Sequence, residues 1–288
     1  MIISVASGKG GTGKTLVATS LALSLKGKEK VQLLDCDVEE PNAHIFLRPV
    51  ISHSEPVFVP VPVIEEKKCT YCGDCAMMCA YHAIAIFPGH AMTFAQLCHG
   101  CGACAYFCPQ KAIHEEGREV GVVERGHSDG VDFVHGRLNV GEAMAPPLIR
   151  KVKEFVDPRS VAVIDVSPGT SCPVITAVRG SDFCLLVTEP TPFGLNDLDL
   201  AVQMVSELAI PHGVVINRAG VGNGAVEAYC HKHGIPVLLT IPLDRRIASL
   251  NSQGVALVDG VPRWTDEFRS LYYRIREMAG ERARCVER

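Results

Sequence analysis

The sequence predicts an α/β fold: a doubly wound, mostly parallel sheet that carries a small inserted α+β domain. Three observations predict it. Short apolar, β-rich runs alternate with helix-forming stretches near the N-terminus and again from residue 161 onward, the βαβ rhythm of a parallel sheet covered on both faces. A glycine-rich loop joins the first such run to the first helical stretch. Between the two α/β blocks the rhythm breaks, and eight of the thirteen cysteines crowd between Cys69 and Cys108.

Taken in order, residues 2–6 (IISVA) are a β-rich run, a glycine loop follows, and LVATSLALSLKG reads as a helix. VQLLDCD at 31–37 is a second buried strand that ends in acids. Near Val57 the pattern changes: VFVPVPVI carries two prolines and leads into the cysteine-rich block, which ends near Gly117. Residues 118–150 are rich in Gly, His and charge and read as short strands and loops returning to the main domain. Helices are expected over 148–156, 194–210, 225–234 and 264–279, with strands or strand–loop units over 161–169, 184–190, 213–220 and 236–244. The expected organisation is a discontinuous domain of 1–58 and 118–288, interrupted by an insert of 59–117. No long-range repeat lies outside the cysteine block, and there is no low-complexity segment.

The chain has 288 residues, of which 47% are hydrophobic and 21% charged. That composition builds a full core and excludes a disordered chain. A formal charge of -4 lacks the basic excess of a nucleic-acid footprint. No apolar stretch reaches bilayer-spanning length, and the N-terminus MIISVASGKGG has no signal-peptide pattern, so a cytoplasmic location is expected. In that setting, two cysteine runs of matching spacing point to thiolate metal ligation rather than disulfides.

The loop Gly8-Lys9-Gly10-Gly11-Thr12-Gly13-Lys14-Thr15 matches G-x-x-x-x-G-K-[ST] in the strand–loop–helix context the motif needs. Glycines let backbone N–H groups converge on phosphate oxygens, and the helix N-terminus adds partial positive charge. Lys14 would neutralise the β- and γ-phosphates, and the Thr15 hydroxyl would ligate Mg²⁺. A second lysine, Lys9, follows the first glycine. With it, KGGTGKT resembles the deviant phosphate loop of the MinD/ParA/nitrogenase-iron-protein class of ATPases. The resemblance implies that Lys9 crosses a dimer interface and stabilises charge on the partner's phosphates. Asp35-Cys36-Asp37 is similar to the first switch of that class: Asp37 would orient or activate the attacking water, and Asp35 would contact Mg²⁺ through water. Asp165, followed by Ser167-Pro168-Gly169, is similar to its second switch. By the same likeness, Asp165 would stand behind Mg²⁺, the Gly169 backbone would approach the γ-phosphate, and Asn217 and Pro242 would lie against adenine. The resemblance favours ATP over GTP.

The cysteines form Cys69-x-x-Cys72-x-x-Cys75-x-x-x-Cys79 and Cys98-x-x-Cys101-x-x-Cys104-x-x-x-Cys108-Pro109. Each run resembles the bacterial ferredoxin spacing. Three thiolates two residues apart wrap one cluster, and the fourth reaches the other. Cys69, Cys72, Cys75 and Cys108 would then hold one [4Fe–4S] cluster, and Cys79, Cys98, Cys101 and Cys104 the second. The first run departs from the pattern at Ala80, where a proline is usual. Tetrahedral zinc is the alternative chemistry, and clusters of purely structural role the alternative use. His82, His99 and His114 are read as loop or surface residues. Of the remaining cysteines, Cys184 and Cys230 read as small core residues. Cys36 and Cys285 carry no assignment. Cys172, seven residues after Asp165, has the spacing of a nitrogenase-iron-protein cluster ligand but no second ligand to accompany it.

The whole chain therefore resembles a MinD-superfamily ATPase with an inserted two-cluster ferredoxin domain. Expected cofactors are ATP/ADP, Mg²⁺ and two [4Fe–4S] clusters. A nucleotide-dependent homodimer, or a heterodimer with a related ATPase, is expected, with a redox or protein partner and no strong sign of nucleic-acid or membrane binding. ATP-gated electron transfer is the leading function. A positioning or assembly ATPase with redox-sensing or structural clusters, and an iron–sulfur carrier, are the alternatives. The tail GERARCVER is short and highly charged for a membrane-binding helix.

Overall fold

A computed structural model describes residues 1–220 and 222–286, with side chains to 280. The strands are β1 (Ile2–Ala6), β2 (Val31–Cys36), β3 (Val50–Ile64), β4 (Ile84–Phe87), β5 (His90–Thr93), β6 (Ile113–Ser128), β7 (Val131–Leu138), β8 (Val161–Val166), β9 (Phe183–Thr188), β10 (His212–Ala219) and β11 (Val237–Pro242). The helices are α1 (Lys14–Ser24), α2 (Ala43–Leu47), α3 (Asp74–Met78), α4 (Ala103–Phe107), α5 (Ala145–Lys153), α6 (Cys172–Val178), α7 (Pro192–Glu207), α8 (Ala225–Lys232), α9 (Arg245–Ser252), α10 (Leu257–Gly260) and α11 (Arg263–Val286).

Among the described residues, nine strands form one sheet in the order β11-β10-β9-β1-β8-β2-β7-β6-β3. Every pairing from β11 to β7 is parallel, and β6 and β3 add an antiparallel margin. β2, β8 and β9 are buried at every residue, which their unbroken apolar runs require, because both faces of a parallel sheet are covered. One face packs Leu21, Phe133, Phe183, Phe268 and Leu271, and the other packs Leu148, Ile149, Ile164, Leu198 and Val205. α1 is almost wholly buried. Its small residues Ala18, Ser20, Ala22 and Ser24 let it lie between the sheet and α11.

The sequence reading of 118–150 as short strands and loops is corrected here. β6 is sixteen residues long and β3 fifteen, and they pair from Val50 opposite His127 to Ile64 opposite Ile113. At about 3.4 Å per residue this ribbon is on the order of 45 Å long. β7 covers β6 only between Gly121 and Ser128, so the rest of the ribbon continues as a two-stranded arm, with Val57, Val59 and Val120 still packed into the main core. The expected boundaries at 58/59 and 117/118 fall inside this arm, since both strands continue through them. The compact cysteine block proper occupies 65–112 at its tip. Alternation hid β3 because Pro56, Pro60 and Pro62 interrupt it. Proline is compatible with an edge strand, whose N–H groups on one side need no partner. The short helices α2, α6, α9 and α10 also went unread, being too brief to display a 3.6-residue period.

Candidate nucleotide site and cysteine module

Strand order places the first candidate site. β1, β8, β2 and β9 end side by side, and the crevice outside their carboxyl ends is where open α/β sheets bind ligands. A cavity of about 650 Å³ opens there, lined by Gly10, Gly11, Gly13, Lys14, Thr15, Asp37, Asn217 and Pro242 among others. It therefore gathers these eight of the residues singled out for nucleotide and Mg²⁺, while Gly8, Lys9, Thr12, Asp35, Asp165 and Gly169 do not line it. Gly11 and Gly13 take φ of 78° and 95°, the left-handed region open to glycine at little cost. Among the described residues, none of the N–H groups from Lys9 to Gly13 donates to a protein acceptor. They stand free for an anion at the start of α1, whose first turn contains no acid. Thr12 is buried and its hydroxyl has no partner.

Two close contacts fix the loop from outside. A Cβ on Gly8 would lie 2.1 Å from the Asp197 carbonyl oxygen, and one on Gly13 would lie 2.3 Å from the Asn217 amide nitrogen. Asn217 donates to the Thr12 carbonyl at 2.7 Å, and its own oxygen accepts the Arg218 N–H at 2.9 Å. Its amide thus braces the phosphate loop while its side chain lines the cavity. Gly169 has φ of 103°, and its N–H donates to the Ser7 carbonyl at 2.9 Å. In this structure Ser7 thus holds the N–H of the residue that the resemblance directs toward the γ-phosphate.

The acids divide by burial. Asp35 and Asp165 sit opposite each other on β2 and β8 and are fully buried. Asp35 is satisfied from within: one oxygen accepts the Asp37 N–H and the other accepts the Asn42 and Ala43 N–H groups, all at 3.0 Å. It therefore ties the 37–42 loop to the start of α2. Asp165 is the opposite case, with no hydrogen-bond partner at either oxygen. Burial pushes its carboxyl up, and the Thr15 hydroxyl and the Lys14 charge pull it back only partway. An orphaned buried carboxylate beside Thr15 and Lys14 suits a divalent cation, so the residues present fit Mg²⁺. Asp37 lines the cavity. Burial raises its pKa, against the opposing pull of Lys14 and a Ser167 hydrogen bond.

Asp165 supports a prediction. Its folded-state pKa lies above its unfolded value, so its charged form costs stability, and that cost grows as pH rises from the ordinary carboxylate range through the raised value. Asp165→Asn should raise the melting temperature of the metal-free protein at pH 8, by about 2–4 °C for each kcal/mol relieved, and should abolish the stabilisation that Mg²⁺ and nucleotide give. Calorimetry in chelator at pH 6 and pH 8 checks it. A lower melting temperature at pH 8 would refute the assignment.

The second candidate site is the tip of the ribbon. Two small cavities lie there. One is lined by Cys69, Cys72, Cys75 and Cys108, and the other by Cys79, Cys98, Cys101 and Cys104. Each cavity thus takes three cysteines from one run and the fourth from the other. The two runs repeat at a constant offset, and so does their backbone. Tyr71 and Gly100 donate N–H to Cys69 and Cys98 Sγ at 3.4 Å, and Ala83 and Ala112 donate to Cys79 and Cys108 Sγ at 3.3 Å. α3 and α4 start after Gly73 and Gly102, both at positive φ. Backbone N–H groups aimed at sulfur stabilise thiolate charge, as iron–sulfur ligation requires. Each cavity is thus lined by four cysteines, the number of thiolates a [4Fe–4S] cluster takes, although among the described residues no group of three or more His, Cys, Asp or Glu is gathered closely enough to hold a metal ion. None of the three nearby histidines takes a place in either lining set except His99, which stacks on Tyr81 at 3.4 Å between ring centres. His82 is exposed, and His114 faces Glu65 and Glu116.

Cys36, Cys184 and Cys230 are buried, and Cys172 is exposed at the first position of α6. Cys285 and the side chains of the GERARCVER tail lie outside the described residues. Among the described residues, no helix is long and apolar enough to cross a membrane. Sequence reading missed Glu189, which pairs with Lys9 at 3.5 Å and with Arg218. A lone acid after a strand gives no signal of its own.

Residues 3–258 match the CobQ/CobB/MinD/ParA nucleotide-binding domain. Among curated proteins, the chain is 31% identical over 263 residues to the uncharacterized protein MJ0579 of Methanocaldococcus jannaschii, covering 88% of this chain and 90% of that protein. It is 26% identical over 288 residues to the cytosolic Fe-S cluster assembly factor NUBP2 homolog of Culex quinquefasciatus, covering 92% and 91%. Among solved structures, the septum site-determining protein MinD of Pyrococcus horikoshii, complexed with Mg-ADP, superposes with a TM-score of 0.61 at 20% identity, over 97% of each chain. That likeness is one of fold.

Proposed function

The chain belongs to the CobQ/CobB/MinD/ParA family of nucleotide-binding proteins, and from that footing we propose that it is a Mg²⁺-dependent ATPase, dimeric when nucleotide is bound, whose nucleotide state gates electron transfer through the module at 65–112. The observation that carries this reading is the continuity between the two sites. Only residues 37–49 separate the end of β2 from the start of β3, and they include the Asp37 loop and α2. The Val38 carbonyl accepts the Leu138 N–H at 2.9 Å, and the Leu47 carbonyl accepts the Ser128 hydroxyl. The loop beside the nucleotide cavity is thereby bonded to both β7 and β6, and β6 runs directly into the module. A shift of that loop has a covalent and a hydrogen-bonded route to the arm.

The chain's own residues divide the work. The free N–H groups of the phosphate loop bind and orient the triphosphate. Lys14 draws negative charge toward the loop, and Asp37, held in reach of the cavity, orients water for in-line attack. Thr15 and Asp165 hold Mg²⁺, and Lys9 serves the partner's nucleotide across the dimer. Cys69, Cys72, Cys75 and Cys108, and Cys79, Cys98, Cys101 and Cys104, hold the two clusters, with Tyr71, Gly100, Ala83 and Ala112 moderating the charge on sulfur. Bound [4Fe–4S] clusters supply one-electron redox chemistry.

A second reading is a cluster assembly or carrier ATPase, favoured by the assembly-factor name of the NUBP2 relative. Against it stands the full four-cysteine set lining each cavity, which suits retention better than release. The test is anaerobic. ATPase rate is measured with the clusters oxidised and then dithionite-reduced, at fixed Mg²⁺ and protein, and iron transfer to an apo-acceptor is followed alongside. Gating predicts a clear change of rate with redox state and no transfer. Equal rates with ATP-dependent transfer would replace it with the carrier reading.

A further inference from the structure

Glu189 pairs with two cations at once: Lys9 of the phosphate loop and Arg218, which lines the nucleotide cavity. It follows β9, which lies between β1 and β10. β1 leads into the phosphate loop and Lys9, while β10 carries Asn217 and Arg218 just before its end at Ala219, so strand order alone brings a cation to each side of this acid. One Glu189 oxygen lies 3.5 Å from Lys9 Nζ, and the other accepts from Arg218 at 2.5 Å. The carboxylate is nearly buried, at 11% side-chain exposure, whereas Lys9 is 32% and Arg218 51% exposed.

The acid is also the immobile member of the trio. Its carbonyl accepts the Thr191 N–H at 2.8 Å, the Thr191 hydroxyl caps α7 through the Gly194 N–H at 3.0 Å, and Thr188 bonds the Gly194 carbonyl at 2.9 Å. A Cβ on Gly194 would meet the Glu189 carbonyl oxygen at 2.2 Å, so the turn is closely packed. Arg218 has φ of 55°, a conformation non-glycine residues keep only where the surroundings enforce it. Lys9, on a flexible four-carbon stem, is the partner free to leave.

We propose that Glu189 is a positioning residue that holds Lys9 in cis, as a latch on the nucleotide-free protomer, and releases it to the partner's triphosphate when the dimer closes. The inference rests on the proposed reading of Lys9 as a residue that acts across the dimer. Arg218 keeps Glu189 charge-compensated after Lys9 departs, so release leaves no isolated buried carboxylate. A triphosphate carries more charge than one carboxylate already shared with an arginine, and the exchange therefore runs toward closure only when the partner is loaded.

The test is a double-mutant cycle on dimerisation. Dimer dissociation constants are measured by analytical ultracentrifugation, with saturating Mg²⁺ and AMPPNP, for the wild type, Glu189→Gln, Lys9→Ala and the double variant. The latch predicts that Glu189→Gln tightens the dimer by about fivefold, the scale of a partly exposed ion pair, and that the same substitution changes nothing in the Lys9→Ala background. Tightening that persists without Lys9, or no tightening while Lys9→Ala weakens the dimer, overturns the latch alone. If Lys9→Ala leaves the dimer unchanged, the reading of Lys9 falls, and the latch with it. Glu189→Asp, which keeps the charge but withdraws it by one methylene, should tighten the dimer in the same direction and serves if the glutamine variant folds poorly.

Discussion

Lys14→Ala is expected to lower kcat/KM for ATP by about 10²–10³-fold, the scale seen when one preorganised charge-stabilising group is removed from a transition state, while the protein retains its full iron content. The size follows from where the lysine sits. Lys14 is buried at the first position of α1, inside a loop whose N–H groups have no protein acceptor among the described residues. It is also the cation that pulls down both Asp37 and Asp165, whose carboxyls burial pushes up. Its loss therefore removes positive charge from the triphosphate and leaves both acids nearer neutrality, so that Asp37 is less able to polarise water and Asp165 less able to hold Mg²⁺. ATPase kinetics and an iron assay on the same preparation check the result. A loss smaller than tenfold would mean that the loop does not carry the chemistry.

Iron removal should have the largest structural effect, and it should be local. Of the 48 residues from 65 to 112, only Ala83, Ile84, Cys98 and Ala112 are buried. The cluster of buried apolar residues at the tip consists of Val61, Ala83 and Cys98. A block of this size with so small a core needs a metal or covalent brace to stay folded. Chelation of iron should accordingly expose 65–112 to proteolysis while nucleotide binding by the main domain persists. The crossing of cysteines sharpens the expectation. Cys108→Ser should remove about half the iron, and the half lost should be that held with Cys69, Cys72 and Cys75, because those four share a cavity. Iron counting and cleavage mapping check both points. Cys108→Ser with undiminished iron would sink the crossed arrangement.

The sequence made some of this legible and hid the rest for physical reasons. The parallel core was readable because strands buried on both faces are continuous apolar runs, as VQLLDC and VAVIDV are. The phosphate loop and the two cysteine runs were readable as motifs because their chemistry fixes residue type and spacing together, and each run contributes to both cysteine-lined cavities. The ribbon was not readable: β3 and β6 alternate irregularly, shift register twice and are half exposed. Long-range partners were equally invisible. Nothing local in TEPTP announces that Glu189 meets Lys9 and Arg218, since strand order alone makes them neighbours. Asn217 and Gly169 were placed near the nucleotide by their motifs, but their internal hydrogen bonds to Thr12 and Ser7 depend on tertiary packing.

The three prolines of β3 bear on how such an arm survives in a crowded solution. The outermost strand of a large sheet offers a row of open donors and acceptors to any passing extended chain, and this one also exposes Val50, Ile51 and Phe58. Pro56, Pro60 and Pro62 break that row, since proline has no N–H to give. The arm can therefore carry its module at the margin of the main sheet without becoming a template for edge-to-edge stacking and aggregation. An exposed β-ribbon of this length is a hazard in most proteins. Here the residues that obscure the strand in the sequence are those that keep it solitary.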